Sequence, residues 1–433
     1  MLDGDGLNCL GNGRIVFLDG NAKMALQMST LSLISDLPLS IVIPFIIISV
    51  VLVFTRLYTQ LQYNRSIKQY LSSPPLEKES LQPQILQLPQ LPYTIPFLGN
   101  ALRFLVPVPG AFWKYLIKTH PLVTGACSLL VGPQRMHILF SPHAINAFLK
   151  DRNLNRDAVN RTLAVTVFEN TPEDSERYWK DEHAHEILLK EYIVKTERVN
   201  ELTSNFVHFL NETLAVDLAK PPIQNVNFYQ WLHSHMFTAS TTALMGTELL
   251  RMYPDFRTDY AKFDREVPSF FFQMPRLLIR NAYARRKKIL DKLTAWNSAM
   301  LAQCGGEAAD PQGEAWEPVF GSRVNRARQK YYAEKGMEMR SRAGMDLGWI
   351  FALSSNSITA AGWMLMHILN PDDESGLKRR IMDELHSAKN DDGSLHIATL
   401  ISLPLLQSIW QEVIHFFFAS FDGWLIELGL TAV

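Results

Sequence analysis

Residues 347–370 read LGWIFALSSNSITAAGWMLMHILN, a stretch without a single Asp, Glu, Lys or Arg. Its two ends are apolar on every side, which suits a helix with protein all round it. Its middle is different. Ser354, Ser355, Asn356, Ser357 and Thr359 crowd hydroxyls and an amide into barely two turns. A helix facing lipid would have to hide those groups, because hydrocarbon offers them no partner. The stretch therefore predicts a buried helix lining a cavity, at the centre of a mainly α chain. The plain alternative is a core helix whose hydroxyls bond back to their own carbonyls. A third possibility, a second membrane span, is disfavoured by the same polar turn.

Outward from that helix, apolar periodicity predicts helices over 112–120, 186–212, 228–252, 260–267 and 275–301, and again from 326, over 374–389 and from 398 onward. Strand signals are few. Residues 128–131 and 136–140 flank Gly132-Pro133 and read as a strand–turn–strand. Ser141-Pro142 then opens a helix, with Ser at the N-cap and Pro in the first turn. Residues 304–323, rich in Gly, Pro and acid, read as a mobile loop.

The N-terminal third has its own punctuation. Residues 37–55, LPLSIVIPFIIISVVLVFT, carry no charge and are long enough to cover most of a hydrocarbon core. Arg56, Arg65 and Lys68 follow the run, whereas Asp19 and Asp36 precede it, so the downstream side is expected in the cytosol. Residues 56–92 read as a polar, Gln-rich linker ending in a proline hinge at Pro89, Pro92 and Pro96. The expected organisation is a tail (1–36), a transmembrane anchor (37–55), linker and hinge (56–92), a body (93–415) and a divergent tail (416–433). The N-x-S/T triplets at Asn64, Asn160 and Asn211 then stay on the unglycosylated side.

The formal net charge of -1 over 433 residues gives no global basic field for nucleic acid. Cys9, Cys127 and Cys304 are scattered and form no CxxC pair, which argues against a disulfide framework and for a reducing compartment. His183, His185 and Glu186 lack metal-ligand spacing, since i and i+2 point to different helix faces. The cluster Arg280, Arg285, Arg286, Lys287 and Lys288 reads as a solvated helix face. No phosphate loop, GxSxG elbow or triad spacing is present.

The order of parts carries more than any one motif. An anchor is followed by PYTIPFLGNAL, a strand pair and Ser-Pro-His before a helix. Later come Phe263-Asp264-Arg265-Glu266 with Pro268 and Pro275, the polar-centred helix, and LPLLQSIWQEVIH at 403–415. This order resembles a microsomal cytochrome P450, most of all fungal members of the branch with sterol 7-hydroxylases and prostacyclin synthase. The resemblance implies a partial P450 fold with a small β region and an N-terminal transmembrane helix. It also implies haem b, a lipophilic substrate such as a sterol, fatty acid or terpenoid, an NADPH-cytochrome P450 reductase as electron donor, and the endoplasmic reticulum membrane.

In most of the family the long helix carries an acid–alcohol pair beside the haem. Here Ser355-Asn356-Ser357-Ile358-Thr359 is similar to the Asn-Thr-Ile-Pro variant of the sterol branch. By resemblance, Asn356 and Ser357 face the oxygen side, with Ser355 and Thr359 on the haem-facing helix; neither an amide nor a hydroxyl is an acid at neutral pH. Glu412 matches the first residue of the family's Glu-x-x-Arg pair, but the fourth position is His415. The Phe-x-x-Gly-x-x-x-Cys loop that supplies the thiolate has no counterpart here, so the chain is expected to be catalytically incomplete as written, from a truncated copy or a frameshifted or unspliced end. The alternative is a membrane-tethered helical binding or scaffold protein without cofactor.

Overall fold

A computed structural model describes residues 39–72, 88–104, 111–120, 125–150, 157–220, 226–306, 310–370, 374–389 and 397–414. The expected tails at 1–36 and 416–433, with Cys9 and His415, lie outside the described residues.

The first helix, α1 (Leu39–Ser72), contains the predicted anchor but does not stop with it. Nothing between Pro44 and Pro74 breaks a helix, so it continues through Arg56 for about 50 Å in all. The first part of the expected linker is therefore helical. Its far half is seated on the body. The Tyr63 hydroxyl meets His120 Nδ1 at 2.8 Å, the Thr59 hydroxyl donates to the Tyr93 carbonyl at 2.9 Å, and Arg56 Nη1 donates to the Pro92 carbonyl at 3.0 Å. The proline hinge is thus gripped by the anchor helix on one side. On the other it runs beside the first strand, where the Leu91 N–H donates to the Ser128 carbonyl at 2.7 Å.

After α2 (Ala111–Thr119) come β1 (Ala126–Val131) and β2 (Gln134–Leu139), paired antiparallel as expected. Gly132, at φ +59°, makes the tight reversal that an L side chain would resist. Helix α3 (Pro142–Lys150) starts as its sequence predicts, with Ser141 Oγ accepting from the Ala144 N–H at 3.0 Å.

The body is helical. α4 (Asp157–Thr166) and α5 (Pro172–Trp179) lead to α6 (Glu182–Leu189), a π turn over Lys190–Val194, and α7 (Thr196–Leu218). The single helix expected over 186–212 is broken because Lys195 turns extended, with ψ 130°. α8 (Phe228–Met245) ends at Gly246, where φ is +89°, seven residues short of the expectation only because a further turn, Glu248–Met252, follows at a new angle. Then come α9 (Phe256–Phe271), running through Pro268, and α10 (Arg280–Gln303).

Two expectations are corrected here. Residues 304–323 are not a loose loop where they are described. β3 (Trp316–Glu317) and β4 (Gly321–Ser322) form a small hairpin pinned against the end of α8. Trp316 Nε1 donates to the Thr242 carbonyl at 3.1 Å, and Ser322 Oγ to the Leu244 carbonyl at 3.0 Å. At Gly321 a Cβ would stand 2.4 Å from the Gly246 nitrogen, so only glycine lets the two backbones approach. The basic cluster on α10 is a solvated face only in part: Arg280, Lys287 and Lys288 are exposed, whereas Arg285 is half-buried and Arg286 is buried. Arg286 is buried over the Phe270 ring, donates to the Thr166 carbonyl at 2.7 Å and pairs with Glu169 at 3.1 Å. Arg285 pairs with Glu266 at 3.0 Å and Lys288 with Asp259 at 2.6 Å. Carboxylates on neighbouring helices are invisible to a count along one helix.

α11 (Arg323–Glu334) precedes the long helix α12 (Met339–Ile368). α12 begins earlier than its uncharged stretch, because its first charges have partners on other elements. Arg340 pairs with Glu169 at 2.8 Å and Asp291 at 2.6 Å. Asp346, fully buried, is held by Arg328 Nη2 at 3.1 Å and by the amides of Asn297 and Gln329 at 2.9 Å each. Arg328 also lies over the Trp349 ring at 4.3 Å. One buried carboxylate therefore fastens α10, α11 and α12 together, with its charge matched and its lone pairs used. α13 (Leu377–Ser387) and a helix over 404–414, α14, pack on the other end of α12 around Ala360, Ile381, Ile409 and Val413. The Glu384 carboxylate caps α14, accepting from the N–H groups of Leu405 (2.9 Å) and Leu406 (3.0 Å).

Candidate functional site

The polar turn lies midway along α12, between the two cores. Its side chains divide between two faces. Ser354 is buried, and Ser355 turns toward α9, where its hydroxyl donates to Asp264 Oδ1 and lies 3.0 Å from the Tyr260 hydroxyl. Asn356 and Ser357 are on the opposite, exposed face, next to the exposed Leu353 one turn before. Ser357 Oγ bonds back to the Leu353 carbonyl, and Thr359 Oγ1 to the Ser355 carbonyl at 2.8 Å. Further along, Met366 and Leu369 are also exposed. The helix therefore presents Leu353, Asn356 and Ser357 as a short open strip on one side and an acid–hydroxyl cluster on the other, with Met366 and Leu369 nearer the cluster's side.

Asp264 carries no local signal in the sequence, since 91 residues separate it from Ser355. Burial raises its carboxyl above the usual range, against the opposing effects of the Ser355 hydrogen bond and Arg265. The polar turn has no acid of its own, and α9 places one within hydrogen-bonding reach of it. Tyr260, buried and with its own pKa raised by burial, completes the line Tyr260–Ser355–Asp264. Nearby, α8 crosses α12 at Gly362, where a Cβ would meet the Leu232 side chain at 3.5 Å. His233 of α8 stacks on Phe237, and burial, aided by Arg257 and Arg265, lowers its pKa to about 4.

Haem needs two covered faces and an axial donor. The exposed strip of α12 offers one wall. Cys127 is fully buried within β1, and Cys304 caps α10 beside Glu317 of β3, its thiol pushed up by burial. No group of three His, Cys, Asp or Glu side chains is poised for a metal among the described residues. The residues present therefore do not complete a haem site. His185, part of the discounted metal reading, packs on Tyr178 and Trp179 with its pKa lowered by burial. Glu412 is exposed on α14 beside the buried Val413.

Comparison with solved structures identifies the class. Retinoic acid-bound cyanobacterial CYP120A1 superposes with a TM-score of 0.52 at 14% identity, over 76% of this chain and 70% of that one. The fold is that of a cytochrome P450. No family model matches the chain. Curated relatives do. Cytochrome P450 monooxygenase efuG of Hormonema carpetanum is 24% identical over 394 residues, 86% of this chain and 67% of that protein. Cytochrome P450 monooxygenase fsoE of Humicola fuscoatra is 26% identical over 76% of this chain and 59% of its own length. Cytochrome P450 7B1 of Mus musculus is 24% identical over 74% and 61%. The chain thus spans about two thirds or less of the lengths of these relatives, and it is a cytochrome P450 relative by sequence and by fold. Among its described residues, α1 is the one helix long and apolar enough to cross a membrane.

Proposed function

We propose that these residues form the membrane anchor and the oxygen-side wall of a haem-thiolate monooxygenase for a lipophilic substrate. The anchor is a single pass in the endoplasmic reticulum, with the body cytosolic and electrons drawn from an NADPH-cytochrome P450 reductase. The observation that carries this reading is the polar turn of α12, exposed at Asn356 and Ser357 and backed by Asp264. The fungal monooxygenases among the relatives and the retinoic acid in the structural neighbour support the reaction class and a lipophilic substrate, a sterol, fatty acid or terpenoid. Asn356 and Ser357 are assigned to holding ordered water on the open face. Asp264 is assigned to holding a proton at the Ser355 hydroxyl. In such enzymes haem b supplies the oxygen chemistry, with a thiolate on its other side. Cys127 and Cys304 are not that thiolate, so the residues described here are not sufficient for turnover.

The back-bonded hydroxyls of Ser357 and Thr359 favour a second reading, a tethered scaffold that needs no cofactor. Haem analysis of the purified full chain separates the two. Retention of haem that weakens when Asn356 and Ser357 are replaced by Leu supports the oxygenase wall. Haem uptake from a haem-supplemented culture that is the same in the parent chain and in that variant supports the scaffold.

A further inference from the structure

A polar cavity of about 660 Å³ lies where the anchor helix meets the strand pair. Gln62, Arg65 and Ser66 of α1 form one wall, Gln90 of the hinge another, and Arg135 and His137 of β2 a third. Among the described residues its lining contains no Asp or Glu, and neither arginine makes an ion pair. Ser128, buried at its floor, shares a 2.7 Å hydrogen bond with His137 Nδ1, so a hydroxyl and an imidazole are already ordered there.

Adjoining it at Thr59 is a second, apolar cavity of about 600 Å³. It is walled by Phe54 and Tyr58 of α1, Tyr93, Pro96 and Phe97 of the hinge, and Leu130 of β1. Phe97 is held at φ +64°, a backbone state that L residues resist, and its ring is 90% exposed. A strained residue presenting an aromatic ring to the outside, next to a membrane helix, suits an apolar medium rather than water.

Charge agrees with this arrangement. From residue 37 to 150 the chain carries nine Lys and Arg against only Glu77 and Glu79, although the whole molecule is nearly neutral. Depth agrees as well. Arg56 ends the uncharged run, Thr59–Gln62 lie roughly 5–9 Å beyond it along the helix, and Arg65, about 14 Å beyond, has its Cα–Cβ bond tilted back toward the membrane end of the helix.

We propose that this junction binds one anionic glycerophospholipid, its phosphodiester between Arg65 and Arg135 and one acyl chain along Phe54, Tyr58 and Phe97. This rests on the anchoring proposed above but not on any haem chemistry. The lipid would fasten the anchor to the strand pair and fix how the body sits on the cytosolic leaflet, whose anionic lipids favour basic groups at its surface.

The test is native mass spectrometry of the full chain, extracted in detergent doped equally with phosphatidylglycerol and phosphatidylcholine. One retained phosphatidylglycerol, favoured about tenfold over phosphatidylcholine, is expected, and the preference should vanish in the double variant Arg65→Gln, Arg135→Gln. Lys114→Gln, Lys118→Gln removes the same charge from the same region outside the cavity and should keep the preference. Equal loss in both variants, or none in either, overturns the site. Complete displacement by millimolar inorganic phosphate overturns the lipid assignment in favour of free phosphate. Thermal unfolding confirms that both variants are folded, and extraction without detergent would instead refute the anchoring itself.

Discussion

At the scale of single residues, two buried groups make opposite pH predictions. His233 is neutral when folded, with its pKa lowered to about 4, whereas an unfolded histidine titrates near its ordinary 6.5. The unfolded state therefore binds the extra proton first as pH falls. Stability should be full above about 6.5 and decline toward 4, by about 2 kcal/mol after allowing for partial solvent screening. His233→Phe keeps the stack on Phe237 and should flatten that slope in melting temperatures recorded between those two values. Asp264 behaves the other way. Its folded pKa is raised by burial, so its contribution is largest below the unfolded value and is lost as pH rises through the folded one. Asp264→Asn should therefore melt higher than the parent at neutral pH, and a lower melting temperature there would refute the raised carboxyl.

At the scale of elements, the tie between α10, α11 and α12 is the most vulnerable point. Asp346→Ala leaves Arg328 charged in a fully buried place, and should cost about 3–5 kcal/mol in denaturant unfolding. Gly321→Ala should also destabilise by more than about 1 kcal/mol, through its positive φ and the clash with Gly246. These elements also show what could be read from sequence. The strand pair, the Ser141 cap and the centre of α12 were legible, because each is set by local patterns of turn, cap and apolar periodicity. The start of α12 was not, since Arg340 and Asp346 look like helix-ending charges until Glu169, Asp291 and Arg328 are seen beside them. The hairpin at 316–322 was missed for the same reason, its order coming from carbonyls of α8. Within the candidate site, Asn356 and Ser357 are suggested by resemblance alone, whereas Asp264 meets Ser355 across helices and has no local signal in the sequence.

At the scale of the whole molecule, the proposed anchor would set the topology. With the body cytosolic, Asn211, exposed on α7, should carry no glycan in a eukaryotic host, and treatment with an endoglycosidase should leave the mobility of the chain unchanged. A glycan on Asn211 would invert the proposed orientation. The exposed Leu353 beside Asn356 and Ser357 leaves a small apolar face on the open side of the polar turn. In the proposed enzyme that face meets the haem and whatever holds its other side.

The carbon-monoxide difference spectrum of the reduced, haem-supplemented 433-residue chain tests this most directly. With Cys127 buried in β1 and Cys304 capping α10, the account predicts no thiolate-type band. A thiolate-type band, whichever of Cys9→Ser, Cys127→Ser or Cys304→Ser abolishes it, would contradict it.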